Sequence, residues 1–342
     1  MSIVERTLDE IVTAARAGDE SAFTTLARKY RRELHVHCYR MLGSFDDAED
    51  LVQETFLKAW ARRATFQGRS SFRAWLYRIA TNACLDFLAR NRHRVLASDT
   101  QNAPESDESL QPPHVPWLQP YPDRLLDQVV SDGAGPDAAV VARETIELAF
   151  LVALQYLPPK QRAALILCDV LDWSAKETAE LLEVSVASVN SALQRARAAL
   201  QKRRVPYRRP RGNWQPGKQE RLLLERYVAA TERGDAQAIA VLLRDDVRFA
   251  MPPEAATYAG RDAVVNSWVS GGFGSASFGE FRCLITQANR MPAVACYVKK
   301  PDDAEYRAFA IDVLQIEDGI ITEITAFDLS SSFAAFGLPA TL

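Results

Sequence analysis

The stretch 158–200, PPKQRAALILCDVLDWSAKETAELLEVSVASVNSALQRARAAL, constrains this chain more than any other. Two prolines stop the apolar run before it, and a helix is expected over 160–171. Two shorter helices then flank the tripeptide Glu183-Val184-Ser185. Ser174 and Glu177 stand in the S-x-x-E spacing, in which the hydroxyl caps one backbone N–H and the carboxylate reaches back to another. Ala175, Ala179 and Leu182 form the apolar side of the first short helix. After Ser185, a good N-cap residue, Val186, Val189, Leu193, Ala196 and Leu200 fall on one side at helical spacing. Ser188, Asn190, Ser191, Gln194, Arg195 and Arg197 are left to face outward.

Such a pair is the pattern of a helix-turn-helix, whose first helix braces a second that enters a major groove. Small polar residues early and arginines late suit base edges and phosphates respectively. An ordinary helical hairpin with a solvated polar face satisfies the same spacing.

The net charge of −3 over 342 residues conceals a segregation. Counting Lys and Arg against Asp and Glu gives +4 for 1–94, −7 for 95–140, +5 for 141–216 and −5 for 217–342. Basic residues gathered in two of four segments are compatible with nucleic-acid binding despite the acidic total. No apolar run approaches the roughly 20 residues that span a bilayer, and MSIVERTLDE lacks the grammar of a secretory signal, so a cytoplasmic protein without membrane contact is expected. Five scattered cysteines without a C-x-x-C pair read as buried free thiols, and four histidines give no metal-ligand spacing. No metal, cofactor or catalytic residue is expected.

Residues 8–92 read as helices throughout. Gly43 closes a long amphipathic segment over 19–42. The following helix, 46–60, carries acids in its first turn, as the macrodipole favours. Leu51, Phe56 and Trp60 are expected to face a core there, with Asp47, Asp50, Gln53 and Glu54 on the polar side. Residues 62–94 hold eight arginines against one acid, Asp86, interleaved with Phe66, Phe72, Trp75, Tyr77 and Phe87. Arginines for phosphates and aromatic faces for unstacked bases suit partly single-stranded DNA. Phe72, Trp75 and Phe87 are expected in the core.

DAEDLVQETFLKAW, FRAWLYRIATNACLDFLAR and the helix-turn-helix ending in LQRARAAL together closely resemble bacterial sigma factors of the extracytoplasmic-function type. The resemblance implies that Asp47, Glu49, Asp50, Gln53 and Glu54 dock on the largest subunit of core RNA polymerase. It implies that Arg73, Tyr77, Arg78, Asn82 and Arg90 approach the minus-ten promoter DNA, with the loop 66–71 capturing a flipped base. It places Ser188, Asn190, Ser191, Arg195 and Arg197 on the minus-thirty-five element. Many members carry a basic residue where this chain has Asn190 and an arginine where it has Ala192, so promoter sequence does not carry over.

Residues 95–140 hold seven prolines between 104 and 136 and read as an acidic linker. Within it VPWLQPYP is unusually apolar for a tether, and Trp117, Leu118 and Tyr121 are expected to dock on the third domain. A basic tail follows Leu200. Sigma factors of this type ordinarily end near there.

From 217 the grammar changes. Helices over 218–233, through 243 and over 262–268 surround a strand at 247–251. Three longer strands follow, the last two joined at Asp318-Gly319, a two-residue hairpin signal. This order resembles the curved antiparallel cone of SnoaL-like and nuclear-transport-factor-like proteins. Asp312, between Ile311 and Val313, is expected on an exposed sheet face. Gly271, Gly272 and Gly274 loosely echo a glycine-rich motif found in some sigma factors with such an appendage.

The expected fold is therefore multidomain: two all-α DNA-binding domains, the second a helix-turn-helix, then an α+β cone. Boundaries fall at 1–94, 95–140 (linker), 141–205, 206–216 (basic linker) and 217–342. The expected function is transcription initiation with core RNA polymerase and promoter DNA as partners, regulated in cis by contact of the cone with the linker and DNA-binding domains. Two alternatives stay open: a polymerase-independent DNA-binding regulator, and an isomerase or cyclase acting on a small ligand in the cone.

Overall fold

The structure, a computed structural model, describes residues 7–68, 70–94, 115–126, 146–202, 217–254, 256–328 and 332–342. Most of the acidic linker, the basic tail beyond Lys202 and Arg69 in the 66–71 loop lie outside the described residues. The chain divides into two compact units, Met1–Asp99 with Leu125–Thr145 and Ala149–Pro210, and Thr100–Arg124 with Ile146–Leu148 and Arg211–Leu342.

The first unit opens with α1 (Leu8–Ala17), α2 (Glu20–Leu42), α3 (Phe45–Ala61) and α4 (Phe72–Arg90). Each starts on a side-chain cap: Thr7 in a capping box with Glu10, then Asp19, Ser44 and Ser71. Those caps satisfy N–H groups that a helix cannot satisfy internally. Gly43, at φ 73, ends α2 in the left-handed conformation. Every residue of α2 from Glu33 to Leu42 is buried, polar ones included. A helix enclosed on all sides is the centre of its module, not an amphipathic wall.

The second module has α5 (Leu148–Gln155), α6 (Pro159–Leu165), α7 (Ala175–Leu182) and α8 (Val186–Lys202). The helix expected over 160–171 is α6 running into a π turn, Ile166–Val170. Ser174 and Glu177 form the expected capping box, with 3.2 Å and 2.9 Å bonds. Glu183 turns the chain with φ 54, without a glycine. The inward side of α7 is Thr178, Ala179 and Leu181, rotated from the expected Ala175 and Leu182. On α8, Val186 is exposed and Ala192 takes its place in the buried face.

The two helical modules pack together around Arg162, which is fully buried. Its Nη1 donates to the Met41 carbonyl and to Gln155 Oε1 (2.7 Å), and Nη2 donates to the carbonyls of Gln155 (2.8 Å) and Leu157 (3.2 Å). Burial lowers the Arg162 guanidinium to about 9. A buried cation held by carbonyls is costly to strip of partners, since each orphaned group costs about 1–3 kcal/mol.

The second unit carries α9 (Lys218–Glu232), α10 (Ala236–Ala240) and α11 (Arg261–Ser270) with strands β1 (Leu243–Ala250), β2 (Thr257–Ala259), β3 (Glu280–Ala288), β4 (Met291–Lys299), β5 (Arg307–Glu317) and β6 (Ile320–Asp328). Sheet order is β2-β1-β6-β5-β4-β3. Four long strands follow α11, not three. The sheet is mixed and not wholly antiparallel, because β1 pairs parallel with β6. Asp318 and Gly319, at φ 50 and 77, make the expected hairpin turn. The β3–β4 turn uses Asn289 and Arg290 at φ 55 and 60 without glycine. Asn tolerates that conformation because its short side chain bonds locally. The core between helices and sheet includes Leu224, Tyr227, Ile239, Val264, Val294 and Leu314.

Candidate functional site

On α3, Leu51 and Phe56 are buried as expected, and Trp60 is half-buried against Phe23 at 5.1 Å between ring centroids. Of the acidic candidates, Glu49 pairs with Arg31, Asp47 with Arg94 at 2.7 Å, and Glu54 with Lys58 at 2.6 Å. Asp50 and Gln53 are exposed on the same stripe as Leu57, an apolar side chain 71% exposed. Leu57 was missed, although its position seven residues after Asp50 places it on that face. An isolated exposed leucine is unremarkable; one flanked by polar side chains on a helical stripe fits protein docking.

The α4 candidates divide. Arg78, Asn82 and Arg90 are exposed. Tyr77 is fully buried, and Arg73 is committed to a buried partner, so neither stands on an open DNA-facing surface. Arg73 Nε donates to Glu33 Oε2 at 2.9 Å, and Tyr77 donates to the same oxygen at 3.4 Å. Burial raises the Glu33 carboxyl against the opposing pull of Arg73. The Tyr77 ring also meets His37 (5.0 Å) and Trp173 (5.5 Å), so it belongs to the packing between the helical modules. Phe66 is also core, packed on Phe72 (5.5 Å) and Trp75 (5.3 Å), whereas Phe87 is only half-buried.

On α8, Ser188, Asn190, Ser191, Arg195 and Arg197 are all exposed. Ser188 receives the cap of Ser185, whose Oγ accepts its N–H at 3.1 Å. Arg197 is held bidentate by Asp169, with bonds of 2.9 and 2.6 Å. Such a fork fixes its guanidinium plane and leaves Asn190, Ser191 and Arg195 as the unencumbered polar surface.

The second unit holds the linker segment. Tyr121 N–H donates to Asn289 Oδ1 (2.7 Å), Asn289 N–H donates to the Tyr121 carbonyl (2.9 Å), and Asn289 Nδ2 donates to the Ile146 carbonyl (2.6 Å). Arg290 N–H donates to Asp123 at 2.9 Å. Arg124 reaches the carbonyls of Ala335 (2.6 Å) and Ala334 (2.9 Å) near the C-terminus. Leu118 and Tyr121 are buried and Trp117 half-buried. A left-handed Asn at the hairpin tip thus grips the chain at both ends of the 122–145 stretch.

The cone has a half-open cavity of about 390 Å³. Asp312 lines it, contrary to the exposed sheet face expected from alternation. The reason is that α9 covers this face and brings Tyr227, whose hydroxyl donates to Asp312 Oδ2 at 2.9 Å. The Cys296 thiol donates to the same oxygen at 3.6 Å. Burial raises the Asp312 carboxyl to about 6, against the lowering effect of those bonds.

Two helical modules in series, the second a helix-turn-helix with an arginine-bearing outer face, followed by a cone, define a modular DNA-binding protein. The family model of Sigma-70 region 2 matches residues 26–94, that of Sigma-70 region 4 matches 147–200, and that of the SnoaL-like domain matches 224–324. The ECF RNA polymerase sigma factor SigG of Mycobacterium tuberculosis is 39% identical over 99% of this chain and 91% of its own length. SigW of Bacillus subtilis, another ECF sigma factor, is 31% identical over 58% of this chain and 97% of its own. The crystal structure of M. tuberculosis SigJ shares the fold, with TM-score 0.55 and 23% identity over 93% of this chain and 99% of that one.

The chain belongs to the ECF RNA polymerase sigma factors. It is a transcription initiation factor that directs polymerase to promoters, and it carries a C-terminal SnoaL-like domain. Among the described residues no helix is long and apolar enough to cross a membrane.

Proposed function

We propose that this sigma factor is held in a closed form by its own C-terminal domain acting through the linker. The observation that carries the reading is the grip of Asn289 on Tyr121 and Ile146. Ile146 lies two residues before α5, the first helix of the helix-turn-helix module. A free linker from Arg94 to Ile146 would reach about 170 Å when extended. Contacts of residues 121 and 146 with Asn289 divide that reach into shorter spans.

Minus-ten and minus-thirty-five elements lie about 85 Å apart at 3.4 Å per base pair. Two modules joined through Arg162 and the Tyr77–Trp173 contact do not reach both at once, so that packing opens for promoter binding. In the open form Arg78, Asn82 and Arg90 face the minus-ten DNA. Asn190, Ser191 and Arg195, with Ser188 and Arg197 beside them, face the minus-thirty-five element. Asp50, Gln53 and Leu57 seat on core polymerase, bordered by Asp47, Glu49 and Glu54.

Removing residues 217–342 and measuring run-off transcription with core polymerase tests the regulatory part. Output per molecule rises on truncation under this reading; unchanged output at equal protein level sinks it. Copurification of the full chain with core subunits separates it from a polymerase-independent regulator.

A further inference from the structure

The cavity of the cone takes no part in the reading above, yet it is built as a ligand site. Its volume of about 390 Å³ falls in the range of roughly 300–1,000 Å³ typical of small-molecule pockets. Aromatic rings form much of its wall, among them Phe249, Trp268, Phe273 and Phe281, with Phe249 to Trp268 at 5.5 Å and Phe273 to Phe281 at 5.4 Å. Two carboxylates line it, the half-buried Asp312 and the exposed Glu254. None of the described lining residues is Lys, Arg or His.

The bonding of Asp312 is one-sided. Tyr227 and Cys296 both donate to Oδ2, and no described residue donates to Oδ1. Asp312 is half-buried, so Oδ1 is left to accept a hydrogen bond or face a charge from whatever enters the cavity. Aromatic faces carry negative potential and attract cations, most strongly where water is excluded. A carboxylate in a cavity walled by such rings, with no Lys, Arg or His in its described lining, repels anions and favours positive charge.

We propose that the cone binds a small cationic molecule, an amine or quaternary ammonium on an apolar, ring-bearing body, with the cation against Asp312 Oδ1 and the body among the aromatic walls. This assignment stands on the cone alone and holds whether or not the cone restrains the sigma modules. Burial keeps the Tyr227 hydroxyl, and the bond with Cys283 together with burial keeps the Cys296 thiol, well above their ordinary ranges, so neither ionises near neutral pH. The other titratable groups around the cavity are Tyr258 on β2, Cys283 on β3 and Glu254 at the wall.

Isothermal titration of the full chain with three probes tests it: benzyltrimethylammonium, its neutral isostere neopentylbenzene, and phenylacetate. The cation binds at least about tenfold more tightly than the neutral isostere at pH 8, and phenylacetate does not bind. Because this cation cannot lose a proton, its affinity falls about tenfold from pH 8 to pH 5 as Asp312 takes one up near pH 6. Asp312→Asn abolishes both the preference and the pH dependence, which separates Asp312 from Glu254; the wild-type pH profile decides the matter if that variant misfolds. Equal binding of cation and isostere, or tighter binding of phenylacetate, overturns the proposal.

Discussion

Asn289 and Tyr121 exchange two hydrogen bonds, side-chain oxygen to backbone N–H at 2.7 Å and backbone N–H to carbonyl at 2.9 Å, across 168 residues of sequence. Ordinary tethers do not order themselves this way, because fixing each backbone residue costs about 1–2 kcal/mol. The linker segment 115–124 is therefore a structural part of the C-terminal unit.

Replacing Asn289 by Gly keeps the left-handed turn at φ 55 and deletes the side chain that holds Tyr121 and Ile146. Hydrogen exchange is expected to show the Tyr121 amide losing protection by tenfold or more, while β4 and β5 amides keep theirs. Collapse of protection across the whole sheet would mean that Asn289 stabilises the cone itself.

On α3 the exposed Asp50, Gln53 and Leu57 stand apart from Asp47, Glu49 and Glu54, which are ion-paired. Leu57→Ser, at a side chain 71% exposed, is expected to leave stability within about 0.5 kcal/mol and to weaken core polymerase binding at least tenfold. Glu54→Gln removes a partner of Lys58 and is expected to weaken polymerase binding less. Competition binding against a labelled sigma factor measures both.

Acid is expected to weaken the first unit through histidine. His37 is fully buried, bonded to Thr81 at 2.9 Å, and burial lowers its imidazole to about 3. A depressed folded pKa means the unfolded chain takes up the proton first, so stability is complete above pH 6.5 and falls by about 1.4 kcal/mol per pH unit below it, down to about pH 3. His37→Gln keeps a donor for Thr81 and removes this part of the slope; urea midpoints at pH 7.0 and 5.5 test it.

Two glycines of the cone differ in what surrounds them. A Cβ on Gly274 would lie 2.4 Å from the Gly234 carbonyl oxygen, whereas one on Gly319 meets nothing within 4 Å. Both have positive φ, so each Ala variant carries about 1–2 kcal/mol of conformational strain. Only Gly274→Ala adds backbone displacement, and it is expected to cost at least about 2 kcal/mol more than Gly319→Ala in denaturant unfolding.

Much of this was legible in the sequence because local chemistry dictates it. Ser174 with Glu177 marks a helix start, Gly43 a helix end, and Asp318-Gly319 a hairpin, whatever surrounds them. The outward face of α8 was legible for the same reason: polar and apolar residues alternate at the helical period. Tyr77 was not, since α4 is buried around most of its circumference and the partner that encloses its ring, Trp173, comes from the other helical module. Asp312 was misplaced because period-two alternation assigns a residue to one face of a sheet but does not say which face a helix will roof. The Asn289 turn escaped notice because it lacks the glycine that marks most two-residue hairpins.

The central claim is that the cone restrains the sigma modules through Asn289, and transcription with core polymerase tests it most directly. Full chain and Asn289→Gly, at equal concentration with the cone intact in both, are compared in run-off assays on genomic promoter fragments. The account predicts several-fold higher output from Asn289→Gly. Equal or lower output, with both proteins folded and binding core equally, would contradict it.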